Sequence, residues 1–105
     1  MYLLTCNDIT MIEHLTKDSF KQKVFDYQNS RVYRFEGERP VVIDFYTNWC
    51  VPCKTIAPIL EELQREYEGK VDIYKVDSDM EKELVKAFNV RSIPTLIFVP
   101  VEGQP

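Results

Sequence analysis

The sequence has few of the residues on which metal sites and disulfide frameworks depend: three cysteines and one histidine in 105 residues. An odd number of cysteines fits a disulfide framework poorly, since one thiol is left over. The 13 basic residues are outnumbered by 17 acidic ones and lie scattered along the chain, which disfavours nucleic acid and anionic membranes as partners. No apolar run approaches the roughly 18 residues of a membrane span. What is left is a small soluble globular domain, as a content of 45% hydrophobic and 29% charged residues also indicates.

The first of three segments with helical spacing carries Phe20, Val24 and Tyr27 at positions i, i+4 and i+7. Thr16 before it is a candidate N-cap, and Leu15 is placed to form a hydrophobic staple with Phe20. This segment is predicted to form an amphipathic helix of about three turns.

Two more helices are predicted downstream. The longer one has five apolar residues at helical spacing: Ile56, Ile59, Leu60, Leu63 and Tyr67. Gly69 is expected to end it. The shorter one carries Leu84, Val85 and Phe88 and is expected to end at Asn89. Its candidate N-caps are three polar residues: Asp77, Ser78 and Asp79.

Strands are predicted between these helices. Residues 41–46 are nearly all apolar, as in a strand buried on both faces. Residues 71–76 are predicted to be another strand, and residues 95–99 a third, strongly apolar one. Residues 12–15 are a candidate short strand, and the polar residues 28–40 are read as a loop or short edge element. Strand, helix and strand with short connections require a right-handed parallel crossover, so the class is α/β or α+β with a central sheet.

The stretch WCVPCK places Cys50 and Cys53 directly after the strand of residues 41–46, where a helix begins. Unpaired N–H groups and the macrodipole at a helix N-terminus favour an anion, and a thiolate at Cys50 is such an anion. Cys53, one turn further on, is expected to be more enclosed and to remain a thiol until needed. The spacing lets the two sulfurs bond. Cys50 is therefore predicted to attack a substrate disulfide and Cys53 to resolve the mixed disulfide.

A metal site and a permanent disulfide are the two alternatives for this pair. A structural zinc site needs four ligands, and only Cys6 and His14 remain, without motif spacing. A haem attachment site would have histidine in place of Lys54. A permanently closed disulfide in so small a ring adds little loop-closure stabilisation. Cys6 itself is interpreted as an incidental thiol, with the remnant of a lipid-attachment site as the alternative.

Asp44 stands inside the apolar run, on the same strand face as Val42 and Tyr46. A carboxylate there is costly unless it is paired or protonated. It is either a satisfied structural carboxylate or a proton acceptor for Cys53 with a raised pKa. Lys75 in the next strand is a candidate partner across the sheet, with an exposed lysine at the strand end as the alternative.

Pro94 starts the last strand, in the segment SIPT. Proline is tolerated at the first residue of a strand, which is the simplest interpretation. A cis peptide before Pro94 is the alternative, which the residues by themselves do not favour.

With these residues in place, the chain resembles thioredoxins over roughly residues 12–99. The resemblance rests on VVIDFYTNWCVPCK, on VRSIPTLIF and on the Pro58-Ile59-Leu60 segment of the active-site helix. It implies an α/β thioredoxin-like fold with a central mixed sheet flanked by helices. Residues 1–11 are then an N-terminal extension and residues 12–105 the domain. Because the family continues with one more antiparallel strand and a helix, the chain is expected to be C-terminally truncated, with an open sheet edge and possible self-association.

The resemblance also assigns residues to roles. Cys50 is similar to the family's nucleophile, Cys53 to its resolving cysteine, Asp44 to its buried carboxylate and Lys75 to the lysine partner of that carboxylate. A groove for an extended substrate peptide is implied at five further residues: Trp49, Val51, Pro52, Ile93 and Pro94. In the family, Pro94 corresponds to a cis-proline.

The implied activity is that of a protein-disulfide reductase. No bound cofactor is expected besides the redox-active Cys50–Cys53 disulfide. The expected partners are disulfide-containing substrate proteins and a thioredoxin reductase, a flavoprotein drawing on NADPH, or else a membrane reductant. MYLLTC is too short for a signal peptide, so a cytoplasmic protein is expected, with the bacterial periplasm as the alternative.

Two other functions are compatible with the same residues. One is an oxidant or isomerase of an exported compartment, and Lys54 and Asp44 favour reduction over it. The other is a binding or chaperone module with spectator cysteines, which the intact pair beside Asp44, Trp49 and Pro94 disfavours. Val51 stands where thioredoxins usually have glycine, and residues between the cysteines influence the redox potential.

Overall fold

The computed structural model describes residues 12–24 and 39–101. Cys6, Tyr27, the predicted extension of residues 1–11 and most of the predicted loop of residues 28–40 lie outside the described residues. The described elements, in chain order, are β1 (Glu13–His14), α1 (Lys17–Lys23), β2 (Val41–Tyr46), α2 (Val51–Glu66), β3 (Asp72–Asp77), α3 (Lys82–Ala87) and β4 (Thr95–Val99).

The four described strands form one mixed sheet in the order β1-β3-β2-β4. β3 pairs in parallel with both β1 and β2, while β4 runs antiparallel to β2. The β2-α2-β3 unit is the predicted parallel crossover. The predicted α/β class, with a mixed sheet flanked by helices, is thereby confirmed.

The sheet separates two apolar clusters, because alternate residues of a strand point to opposite faces. The larger cluster includes Ile43 and Phe45 of β2 and also holds Phe20 of α1 and Leu84 of α3. The smaller cluster joins Ile73 of β3 to Leu60 of α2. Each such buried side chain stabilises the fold by about 1.5–3 kcal/mol relative to an exposed one. α2, which the cysteines open, is therefore fixed against one face of the sheet by the smaller cluster.

The start of α1 follows the sequence prediction. Thr16 is the N-cap, its hydroxyl accepts the Ser19 backbone N–H, and the Ser19 hydroxyl in turn accepts the Thr16 N–H. Leu15 and Phe20 on either side of this box both belong to the larger cluster. Thr16 therefore sets the point at which β1 gives way to the helix.

The predicted N-caps of α3 are wrong. The helix begins at Lys82 with Glu81 as N-cap, and no side chain caps it. Asp77 instead caps the preceding turn, where its Oδ1 accepts the backbone N–H groups of Asp79 at 3.0 Å and Met80 at 3.3 Å. A short acidic side chain readily stabilises such a turn, and this one delays the helix by several residues. Asn89, with φ of 54°, follows the helix end as predicted.

No helix in residues 12–24 and 39–101 is long and apolar enough to cross a membrane. Within the same residues β4 pairs with β2 alone, so its other edge is open. Two of its apolar side chains are exposed, Leu96 at 38% and Phe98 at 63%.

We expect the chain to self-associate through this edge as its concentration rises, because unpaired strand edges with apolar side chains pair with other chains. Phe98→Lys should weaken the association, since an edge lysine opposes pairing. Sedimentation velocity over a concentration series is the measurement. Met80→Lys, at an exposed apolar residue outside the sheet, is the charge-matched control. Equal sedimentation of both variants and the wild type, all monomeric, would show that the edge does not pair.

Candidate active site

The cysteine pair lies where β2 passes into α2. The chain turns at residues 47–50, where the Cys50 N–H donates to the Thr47 carbonyl at 3.4 Å. Cys50 has extended backbone angles and acts as the N-cap of α2, and Pro52 occupies the first turn, where a missing N–H removes no helix hydrogen bond. The sequence therefore begins the helix at Val51 and leaves the Cys50 sulfur over its N-terminus.

The two sulfurs form a disulfide with Cα atoms 5.3 Å apart. The Cys50 Sγ also accepts the Cys53 backbone N–H at 3.2 Å. An N–H group aimed at a sulfur stabilises a thiolate there, because it is one of the donors that the helix leaves unpaired. Cys50 is the member of the pair that receives this bond.

The predicted difference in exposure between the cysteines is wrong for this disulfide form. Cys50 is 5% exposed and Cys53 is 4% exposed. Both cysteines are therefore almost fully shielded from solvent in the disulfide form. What distinguishes the two is the helix-end hydrogen bond of Cys50.

Asp44, in the middle of β2, is fully buried. Neither of its carboxylate oxygens has a hydrogen-bond partner in the described part of the chain. This argues against the alternative of a satisfied structural carboxylate. Burial raises the pKa of the Asp44 carboxyl, and the positive charge of Lys75 opposes that rise only in part. Asp44 therefore takes up a proton at a higher pH than an ordinary aspartate does.

Lys75 is the register partner of Asp44 across β2 and β3, as the sequence suggested. Its side chain is half-buried, which corrects the alternative of an exposed lysine at the strand end. The Nζ atom lies 4.5 Å from the centroid of the Tyr46 ring, within the range of a cation–π contact. Lys75 thus contributes its charge to the neighbourhood of Asp44 without hydrogen-bonding to it.

A small cleft of about 110 Å³ opens beside the cysteines. Cys53 lines it together with Tyr46, Lys54 and Lys75. Two lysines, Lys54 and Lys75, therefore line the same cleft as the second cysteine. Within the described residues, no group of three or more histidine, cysteine, aspartate or glutamate side chains is arranged to hold a metal ion.

Trp49, directly before Cys50, is 70% exposed. Its indole Nε1 donates to Asp79 Oδ2 at 2.9 Å. The sequence did not predict this bond, because Asp79 was interpreted as a helix cap. The parallel pairing of β2 and β3 was the available signal, since it brings the residues that follow both strands to one edge of the sheet.

The peptide bond between Ile93 and Pro94 is cis, as the family resemblance implies. Phe45 pairs with Thr95, so continuing this antiparallel register by one residue places Pro94 level with Tyr46. Pro94 therefore stands at the same edge of the sheet as the cysteine loop. Ile93 packs against the larger cluster, while Val51 is 71% exposed beside Cys50.

Comparison with known proteins gives a consistent result. A family described as thioredoxin matches residues 11–105. A thioredoxin of Borreliella burgdorferi is 50% identical over 91 residues, which are 87% of this chain and 78% of that protein. Thioredoxin C-2 of Corynebacterium nephridii is 42% identical over 82% of this chain and 70% of its own length. A chloroplastic M-type thioredoxin of Spinacia oleracea is 48% identical over 60% of this chain and 35% of its own length.

Proposed function

Because the chain belongs to the thioredoxin family, we propose that it reduces protein disulfides, with Cys50 as nucleophile and Cys53 as resolving cysteine. Its activity is that of a thiol–disulfide oxidoreductase, whose substrates are proteins with disulfide bonds. The observation that supports the proposed roles is the Cys50–Cys53 disulfide at the N-terminus of α2, with the buried Asp44 carboxyl in the adjoining strand.

In the first step the Cys50 thiolate attacks one sulfur of the substrate disulfide. A bond forms between Cys50 and that sulfur, and the other substrate sulfur leaves as a thiolate that takes a proton from solvent. The N–H of Cys53 supports the attacking anion, since it points at the Cys50 sulfur. We assign the substrate groove to Trp49, Val51, Pro52, Ile93 and Pro94, the last of which stands at the same sheet edge.

In the second step Cys53 attacks the Cys50 sulfur of the mixed disulfide. The Cys50–Cys53 bond forms, the substrate sulfur leaves with the bonding electron pair, and the Cys53 proton passes to Asp44. A buried carboxyl with a raised pKa suits this transfer, because its proton affinity lies closer to that of a thiol. Two electrons from a thioredoxin reductase or a membrane reductant then regenerate the dithiol. The cytoplasmic location stays a prediction.

Insulin reduction with dithiothreitol as electron donor tests this proposal. Faster precipitation of the insulin B chain than with dithiothreitol alone is the expected result. An unchanged rate would favour the binding module with spectator cysteines. Equilibration with glutathione buffers then separates a reductant from an oxidant or isomerase, since a reductant keeps its disulfide at a lower potential than the glutathione pool.

Val51→Gly is expected to change the equilibrium constant with glutathione by up to about two-fold, since the helix propensities of glycine and valine differ by roughly 0.3–0.5 kcal/mol. Val51 is the only residue besides Pro52 between the two sulfurs, so its backbone freedom affects the dithiol and disulfide forms unequally. Glu62→Gly, at an exposed position of the same helix, is the control for a general loss of helix stability. The same constant for Val51→Gly and wild type would show that Val51 has no influence on the potential.

A further inference from the structure

Four polar side chains share one end of the sheet face that α2 covers. His14 and Asp44 are the register partners of Lys75 on its two sides. Tyr46, two residues after Asp44, points to the same face. The opposite end of this face is apolar, with Ile73 and Val42 packed under α2. The polar end is the one beside Cys53, because Tyr46 and Lys75 both line the Cys53 cleft.

The Lys75 ammonium has two possible neighbours at this end, the Asp44 carboxyl and the Tyr46 ring. It lies over the ring, with Nζ 4.5 Å from the centroid, while both Asp44 oxygens lack a hydrogen-bond partner among the described residues. The His14 ring lies against the same tyrosine, with centroids 5.7 Å apart. The Tyr46 ring therefore contacts both the His14 ring and the Lys75 ammonium.

We propose that Tyr46 is a positioning residue of the resolving step: its ring holds the Lys75 ammonium beside the Cys53 cleft and out of a direct ion pair with Asp44. This inference deepens the proposed function and rests on it for its catalytic meaning. The position of the Lys75 ammonium, over the Tyr46 ring rather than paired with the Asp44 carboxyl, can be tested without any measurement of activity.

The consequence of this arrangement is chemical. A direct ion pair favours the charged form of a carboxyl and lowers its pKa, which would make Asp44 a weaker acceptor for the Cys53 proton. With the ammonium on the ring, the effect of burial on Asp44 prevails over that of Lys75. Tyr46 therefore preserves the basicity that the resolving step requires.

Five titratable or charged side chains surround Lys75 at this end of the sheet, and each can influence a pH titration measured there. They come from β1, β2, β3 and α2: His14, Asp44, Tyr46, Asp77 and Lys54. Asp77 is the register partner of Tyr46 and raises the pKa of the Tyr46 hydroxyl after the larger effect of burial. A variant at Tyr46 must therefore keep an uncharged, apolar side chain at this position, so that no new charge enters the titration of these neighbours.

The test compares Tyr46→Leu, which removes the aromatic face and keeps an apolar side chain, with Tyr46→Phe, which keeps the face. The readout is the titration of the Asp44 carboxyl, followed by carbon NMR in the reduced protein. Tyr46→Leu should lower the Asp44 midpoint by about 0.5–1 pH unit, because Lys75 is released toward the carboxyl. Tyr46→Phe should titrate like wild type. In a Lys75→Met background, Tyr46→Leu should no longer lower the midpoint.

An unchanged or raised midpoint in Tyr46→Leu, or an equal fall in Tyr46→Phe, would overturn the inference. A second measurement needs no variant: the ε-protons of Lys75 in the wild type should resonate upfield of those of a free lysine, because they lie over the ring. Ordinary shifts for these protons would also overturn it. Neither readout depends on turnover, so failure of insulin reduction by the wild type would contradict the proposed function alone.

Discussion

Cys50→Ser is expected to abolish insulin reduction, lowering turnover by at least about 10³-fold to the rate of dithiothreitol alone. A serine hydroxyl at the start of α2 cannot form the mixed disulfide on which both steps depend. Cys53→Ser should keep the first step and lose the second, since nothing then displaces the substrate sulfur from Cys50. The two single substitutions are therefore expected to fail in different ways.

Trapping experiments separate these failures. Cys53→Ser should accumulate covalent complexes with disulfide-containing proteins that dithiothreitol releases, and mass spectrometry of the cross-linked peptides should locate the bond at Cys50. In the reduced protein iodoacetamide should label Cys50 first, because the helix N-terminus favours its thiolate. Cys6→Ser removes the remaining thiol and serves as the matched control with wild-type turnover. Complexes trapped by Cys50→Ser instead would reverse the two roles.

Asp44→Asn is expected to stabilise the protein at neutral pH and to slow the second step. Unfolded aspartate titrates near 3.9, and burial raises the pKa of the folded Asp44 carboxyl above this value. Between the two pKa values the folded state binds more protons than the unfolded state. The free energy of unfolding therefore falls as pH rises from about 4 through the folded pKa, by about 1.4 kcal/mol for each unit that separates them.

Asparagine has nearly the same shape and no charge at any pH, so Asp44→Asn should lack this fall. Urea unfolding of the oxidised proteins from pH 4 to pH 8 gives the comparison. The two stability curves should approach each other at low pH and diverge at neutral pH, with the variant more stable. Parallel curves would mean that Asp44 titrates as it does in the unfolded chain.

The kinetic effect of the same substitution concerns the proton of Cys53. Stopped-flow measurement should show the first attack by Cys50 nearly unchanged and the release of substrate slowed by about 10²-fold, the lower range for loss of a general base. Equal slowing of both steps would instead indicate a general electrostatic role. Together, the kinetic and unfolding measurements separate the effect of Asp44 on the free energy of unfolding from its effect on the rate of the second step.

The sequence predicted the features that follow from local pattern. The nearly continuous apolar run of residues 41–46 located β2, and the position of Cys50 after this buried strand predicted its place at the start of α2. The burial of Asp44 followed from its place inside the apolar run. These features depend on periodicity and chain order, which a sequence states directly. The cis bond before Pro94 came from the family resemblance, since the base rate for a proline favours trans.

The features that the sequence missed depend on which side chain reaches which neighbour. Lys75 has both a carboxyl and a ring within reach, and the alternation of a strand places it without choosing between them. The bond between Trp49 and Asp79 joins residues 30 positions apart across the edge of the sheet. The equal burial of the two cysteines likewise depends on the folded chain around them rather than on their spacing. All three features depend on contacts between residues that are distant in the sequence, and a local sequence pattern does not reveal such contacts.

The two faces of β2 limit how this protein can vary in length. Val41, Ile43 and Phe45 face the larger cluster, while Asp44 and Tyr46 face the cysteines. Deleting one residue before Asp44 would transpose the faces, turning a carboxylate into the apolar layer and a phenylalanine toward the catalytic cleft. Deleting two would preserve the alternation and only shorten the strand. Viable relatives should therefore differ in the length of this strand by even numbers of residues.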